Sequence, residues 1–113
     1  MQGKPMRGSA LAASAPVFAA LGDETRLRLV ARLCDHGPAS ITNLTKGNPI
    51  SRQAITKHLL VMRNAGLVHS VKHGRESFWE LDAHRLEEVR RNLALISRQW
   101  DDALDRLRQF VET

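Results

Sequence analysis

The residues best suited to recognition chemistry stand together in Ser51-Arg52-Gln53-Ala54-Ile55-Thr56-Lys57-His58. Arg52, Gln53, Thr56 and Lys57 carry long or hydroxylic donors within a turn and a half of one putative helix. Arginine or lysine suits the acceptor edge of guanine, and glutamine suits adenine, so this group is equipped to read base edges. His58 follows the readers and serves equally well as a further contact or as a side chain hydrogen-bonded beneath the helix. Covalent chemistry has no comparable group. The chain has no nucleophile–base constellation, no phosphate-cradling glycine loop and no ligand cluster, so an enzyme is not expected.

A helix with clean ends must carry these residues. Asn48-Pro49 cannot continue a helix from before, because the residue preceding proline is pushed to extended geometry. Ser51 is a natural N-cap, and Gly66 can take the left-handed conformation just past the end, which places the helix at about 51–65. Ile55, Leu59 and Met62, with Ala54 and Val61 beside them, make one apolar stripe. The donors lie off that stripe. Taken alone, such a polar face is what any solvated helix shows; its neighbours in the chain give it a different meaning.

Upstream, residues 1–10 show no periodicity and read as a flexible arm. Ser14 and Pro16 open a short helix through Leu21, with Val17 and Phe18 apolar and Gly22 as its stop. Asp23 caps the next helix, in which Leu27, Val30, Ala31 and Cys34 form a seam widened by Leu29 and Leu33. His36-Gly37-Pro38 ends it. A short third helix from Ser40 to about Lys46 turns inward Ile41 and Leu44. Through Lys46-Gly47-Asn48-Pro49 it joins the helix of donors, the arrangement of a helix-turn-helix. There the N-terminal end of the second helix enters the major groove.

Downstream the period becomes extended. Residues 67–81 read as a hairpin, its strands Leu67–Lys72 and Glu76–Leu81 flanking His73-Gly74. A hairpin with cations at its tip, following a recognition helix, is a wing. Lys72, His73 and Arg75 would reach the DNA backbone or minor groove, as would Lys46 from the preceding turn, mostly holding phosphates. Trp79 is expected in the core. Asp82 caps a final helix over 82–112, where Leu86, Val89, Leu93, Ile96, Trp100, Ala103, Leu107 and Phe110 alternate by three and four. Roughly 28 residues make a rod of about 42 Å, longer than so small a domain can cover. Part of the seam should fold back on the first helix and the rest meet a second protomer. Val17, Phe18, Leu86, Val89, Leu93, Ile96, Trp100, Leu107 and Phe110 are the expected dimer interface.

Length and charge agree with this architecture: mainly α with a small β-hairpin, in one winged helix-turn-helix domain over 11–113. The 113 residues suffice for one domain with a thin core. No apolar run spans a bilayer or makes a secretory signal, and the single cysteine, Cys34, excludes an internal disulfide, so a cytoplasmic setting is expected. Cys34 itself reads as an ordinary buried residue. The net charge is +5. Residues 36–75 hold Lys46, Arg52, Lys57, Arg63, Lys72 and Arg75 with no Asp or Glu, which leaves the remainder slightly acidic. All the excess charge surrounds the recognition helix, so double-stranded DNA is the expected partner. A membrane surface is not, since the block lacks an amphipathic interfacial face.

These residues resemble the ArsR (arsenic-repressor) family of small winged-helix regulators. The resemblance rests on Leu21-Gly22-Asp23-Glu24-Thr25-Arg26-Leu27, on Ser51 through His58-Leu59, on Ala65-Gly66-Leu67-Val68 and on Gly74-Arg75. It implies a homodimer that represses from a roughly palindromic operator. The family's metal sites are not reproduced. Where some members carry Cys-x-Cys before the recognition helix, this chain has Ser40 and Thr42. Asp82-Ala83-His84 matches half of a second site, but Leu95 and Arg98 stand where its other ligands would be. No metal or cofactor is expected. The resemblance implies no particular effector, since members without metal ligands include autorepressors and regulators of neighbouring genes. Two other readings compete: non-specific architectural DNA binding, and a winged-helix module that binds protein. Forty residues without an acid argue against the second.

Overall fold

The computed structural model describes residues 7–112, with side chains from Ala12 onward. Five helices and three strands follow in the order α1 (Arg7–Leu21), α2 (Glu24–His36), β1 (Ala39–Ser40), α3 (Ile41–Thr45), α4 (Arg52–Asn64), β2 (Val68–His73), β3 (Glu76–Leu81) and α5 (Ala83–Glu112). The first six residues of the expected arm lie outside the described residues. Arg7 to Ala10, expected in that arm, are already helical.

α1 therefore starts two turns before Ser14, and Pro16 sits inside it rather than in its first turn. The alanine-rich stretch before Ser14 favours helix strongly enough to override the start signal. Ser14 is buried and accepts a hydrogen bond from the Asn92 carboxamide of α5, so it ties two helices instead of capping one. α2 begins as expected, with the Asp23 carboxylate accepting from the Arg26 amide at 3.1 Å. Its buried face is rotated, however: Leu29 and Leu33 enter the core, whereas Leu27, Ala31 and Cys34 are exposed. Leu29 and Leu33, with half-buried Val30 beside them, offer more apolar surface than one leucine with an alanine and a cysteine, which favours that rotation.

The core lies where α1, α2, α3 and α4 meet the sheet and the start of α5. Leu44, Ile55, Leu59, Met62 and Leu67 are fully buried there, joined by Val17, Val68, Trp79 and Val89. The sheet has the order β1-β3-β2, all antiparallel. Its hairpin pairs His73 with Glu76 around Gly74, whose φ of 65° suits the tight turn. β1 adds a third strand absent from the sequence reading, pairing Ala39 with Trp79 and Ser40 with Phe78. Two residues are too few to show an alternating pattern. Their pairing nonetheless fixes the base of the wing against the start of α3.

α4 ends at Gly66, whose φ of 81° lets Leu67 N donate to Met62 O at 2.9 Å. A Cβ on Gly66 would also stand 2.9 Å from Arg85 Nε, so α5 closes over this junction. α5 starts from Asp82, which accepts from the Arg85 amide at 2.8 Å. Only its first turns are covered by the protomer: Val89 is buried and Leu86 partly so. Beyond them Leu93 is 49% exposed, Trp100 67%, Leu107 59% and Phe110 81%. The interface residues of the sequence reading thus divide. Val17 and Val89 are spent within the protomer's own core and leave almost no surface for a partner. The distal seam remains outside. Among the described residues no helix is long and apolar enough to cross a membrane.

Candidate nucleic-acid interface

Packing of one side of α4 dictates what its other side offers. Ile55, Leu59 and Met62 anchor the helix in the core, so Arg52, Gln53 and Lys57 must stand on the surface, with Thr56 half-buried beside them. Ser51 holds the helix start, its hydroxyl accepting from Ala54 N at 3.2 Å. Arg52, Gln53, Thr56 and Lys57 line one shallow depression of about 430 Å³. Gln53 and Lys57 are both exposed there. Thr56 Oγ1 donates to Arg52 O at 2.9 Å, so its proton is engaged inside the helix and only acceptor capacity and a methyl group remain for a ligand.

Arg52 differs from its neighbours. Its Nη1 donates to Thr42 Oγ1 of α3 at 3.2 Å, which draws the guanidinium across the turn between the two helices. Thr42 went unnoticed in the sequence as a positioning residue, since nothing ten residues upstream of an arginine marks it as a partner. The connecting turn is itself ordered, with Asn48 Oδ1 accepting from Ile50 N at 3.1 Å. Lys46 stands exposed at its start.

His58 belongs beneath the helix and not among the readers. Its Nδ1 lies 3.2 Å from Arg26 Nη1 and 3.9 Å from Asp23 Oδ2. A guanidinium can only donate, so Nδ1 acts as the acceptor. Arg26 also donates through Nε to Ala20 O at 2.5 Å. His58 thereby couples α4 to the α1–α2 turn. The Asp23 carboxyl is held below the ordinary carboxylate range, chiefly by the Arg26 amide, with burial opposing and the Arg26 guanidinium assisting.

The wing carries Lys72, His73 and Arg75 at its tip, all exposed. The His73 ring packs edge-on against Phe78, centroids 5.5 Å apart, which orders the side chain across the hairpin. At the base of the wing His69 Nε2 contacts Glu80 Oε1 at 2.8 Å while Nδ1 faces Asp82 Oδ2 at 3.5 Å. The wing is thus bound to the cap of α5. Asp82 is held below the ordinary carboxylate range first by the Arg85 amide and then by His69 and His84, with burial opposing. Because the two nitrogens of His69 point to different carboxylates, these groups do not converge on one point.

This geometry presents a predominantly cationic surface made of one helix end, one turn and one hairpin tip, with Glu76 as its one carboxylate at the wing. Comparison with known proteins agrees with it. Residues 21–71, from the end of α1 to the middle of β2, match the model of a helix-turn-helix domain. The HTH-type transcriptional regulator Rv2034 of Mycobacterium tuberculosis is 35% identical over 94 residues, covering 83% of this chain and 84% of that protein. The solved structure of an ArsR-like transcriptional regulator from Rhodococcus sp. RHA1 is 40% identical, with a TM-score of 0.72 over 88% of this chain and 93% of that one. At 24% identity, the homodimeric winged helix-turn-helix domain of Mb0332 from Mycobacterium bovis shares the fold, with a TM-score of 0.64 over 93% and 94% of the two chains. Sequence, fold and surface together show that this chain belongs to the ArsR family of winged helix-turn-helix transcription regulators and acts on transcription by binding DNA.

Proposed function

We propose that two copies of the chain, paired through the distal part of α5, bind a roughly two-fold operator and repress the adjoining promoter. Each protomer lays the start of α4 in a major groove, the two grooves being about 34–36 Å apart. Gln53, Thr56 and Lys57 contact base edges, while Lys46, Lys72, His73 and Arg75 hold the sugar–phosphate backbone and set register. Repression follows by occupancy, because a dimer seated across a promoter excludes the polymerase.

The observation that carries this reading is the coexistence of two unsatisfied surfaces on one small protomer. One is the cationic face around α4; the other is the apolar stretch of α5 with Leu93, Trp100 and Leu107 in water. A second copy supplies the apolar cover and turns one groove contact into two. The homodimeric state of the Mycobacterium bovis domain supports the same arrangement.

The test compares the region upstream of the chain's own gene with a random duplex of equal length at one salt concentration. Tight binding of the first, with a two-fold footprint and a dimer by sedimentation, is the expected result. Equal affinity for both duplexes would make the protein an architectural binder. A chain that stays monomeric at micromolar concentration and ignores both would refute the proposal.

A further inference from the structure

A second depression adjoins the first. About 290 Å³ in volume, it lies between the start of α3, the first turn of α4 and the tip of the wing, and its walls include Thr42, Arg52, Arg75, Glu76 and Ser77. Arg52 lines both depressions, so the cleft is continuous with the surface that faces DNA in the reading above, on which this inference rests.

We propose that this cleft seats one backbone phosphate of the duplex and that Arg52 is a phosphate-holding residue rather than a base reader. Three features of the cleft lead there. The Thr42 hydroxyl accepts from Arg52 Nη1 and pulls the guanidinium away from Gln53 and Lys57, toward the wing. A second arginine, Arg75, lines the same cleft from a hairpin more than twenty residues further along. Two like charges sharing a cleft repel unless an anion lies between them. Glu76 is the one carboxylate in the wall, and among the described residues it forms no ion pair with either arginine, so a positive excess remains.

The chemistry of the wall fits a tetrahedral oxyanion. Guanidinium forks donate paired hydrogen bonds to phosphate oxygens, and the Ser77 hydroxyl adds a neutral donor. Glu76 disfavours a doubly charged anion more than a singly charged one, which suits a phosphodiester better than free phosphate. Thr42 acts through Arg52 as a positioning residue. Because β1 ties the start of α3 to β3, the seat also fixes the angle between recognition helix and wing on the duplex.

Operator duplexes in which single phosphates are replaced in turn by neutral methylphosphonate test this without altering the protein. At one position in each half-site the replacement should weaken the native chain about tenfold. The same replacement should cost Arg52→Ala clearly less, since Arg75 alone then faces that phosphate. Arg52→Ala should also weaken operator and random duplex by the same factor and lower the slope of log affinity against log salt by about two, one for each protomer of the dimer. Thr42→Val, which keeps the cation but frees it, should weaken binding a few-fold at unchanged slope. If Arg52→Ala instead relaxes choice at one base pair and remains sensitive to every methylphosphonate, Arg52 reads a base and the inference fails while DNA binding stands. Failure of the native chain to bind any duplex would sink both. Inorganic phosphate titrated without DNA should bind no tighter than millimolar; micromolar binding that releases the operator would make the cleft a sensor of a small oxyanion and overturn the assignment.

Discussion

The cationic face of α4 and the distal seam of α5 are both exposed, yet water treats them differently. Gln53, Lys57, Lys72 and Arg75 are hydrated without penalty and attract a polyanion only as strongly as salt allows. Leu93, Trp100 and Leu107 carry a cost of about 1.5–3 kcal/mol for each large side chain left wet, and salt does not relieve it. The first surface can therefore release its partner readily, whereas the second favours lasting cover. A regulator must leave DNA on demand without dissolving into protomers, and this division permits that. If the proposed dimer forms, raising the salt concentration should release the DNA while the pairing persists.

The comparison is broken most severely by placing charge on the apolar side. Leu107→Glu, outside the protomer's core, should leave the fold intact but give monomers by sedimentation. The operator affinity should then drop by roughly two orders of magnitude as the second half-site contact is lost. A variant that stays dimeric would move the interface elsewhere. On the polar side, Gln53→Ala should reduce the ratio of operator to random binding by about tenfold with the salt slope unchanged. Uniform weakening of every sequence would instead make Gln53 a backbone contact.

Smaller effects sharpen the contrast between contacts and supports. Lys72→Ala should weaken all duplexes several-fold and reduce the salt slope by about two, one for each protomer, as measured by titration at several ionic strengths. Ser51→Ala removes the cap of α4 and should lower stability by about 1 kcal/mol in denaturant melts. The smallest expected change concerns Asp82. Its depressed pKa means that the ionised cap gives its full stability above the ordinary value of 3.8 and loses it as pH falls through the lower, folded-state value. Asp82→Asn, which still accepts from the Arg85 amide, should therefore flatten the acid limb of stability against pH. An unchanged acid limb would mean that other carboxylates govern it.

How much was legible follows from the range of the forces involved. The stripe of Ile55, Leu59 and Met62, the caps at Asp23, Ser51 and Asp82, and the glycine turns at Gly66 and Gly74 are local signals, and the structure has each of them in its expected role. α1 begins earlier than its local signals suggest because Ser14-Ala15-Pro16 imitates a helix start, while the alanines before it carry the real preference. The α2 seam is ambiguous in the sequence because a helix with apolar residues on two adjacent stripes shows which is inner only once a neighbour packs against it. Cys34 became exposed for that reason.

Composition, caps and periodicity by themselves determined that the chain is a winged helix-turn-helix with its positive charge gathered around one helix, since each of these depends on residues within a few positions of one another. Only the tertiary structure decided that β1 braces the wing, that His58 turns inward to Arg26, that Thr42 redirects Arg52, and that Val17 and Val89 are absorbed by the protomer's own core. Those outcomes join residues from ten to about seventy positions apart. Their contacts are set by the way helices and sheet close around a shared interior, a constraint that no short stretch of chain carries alone.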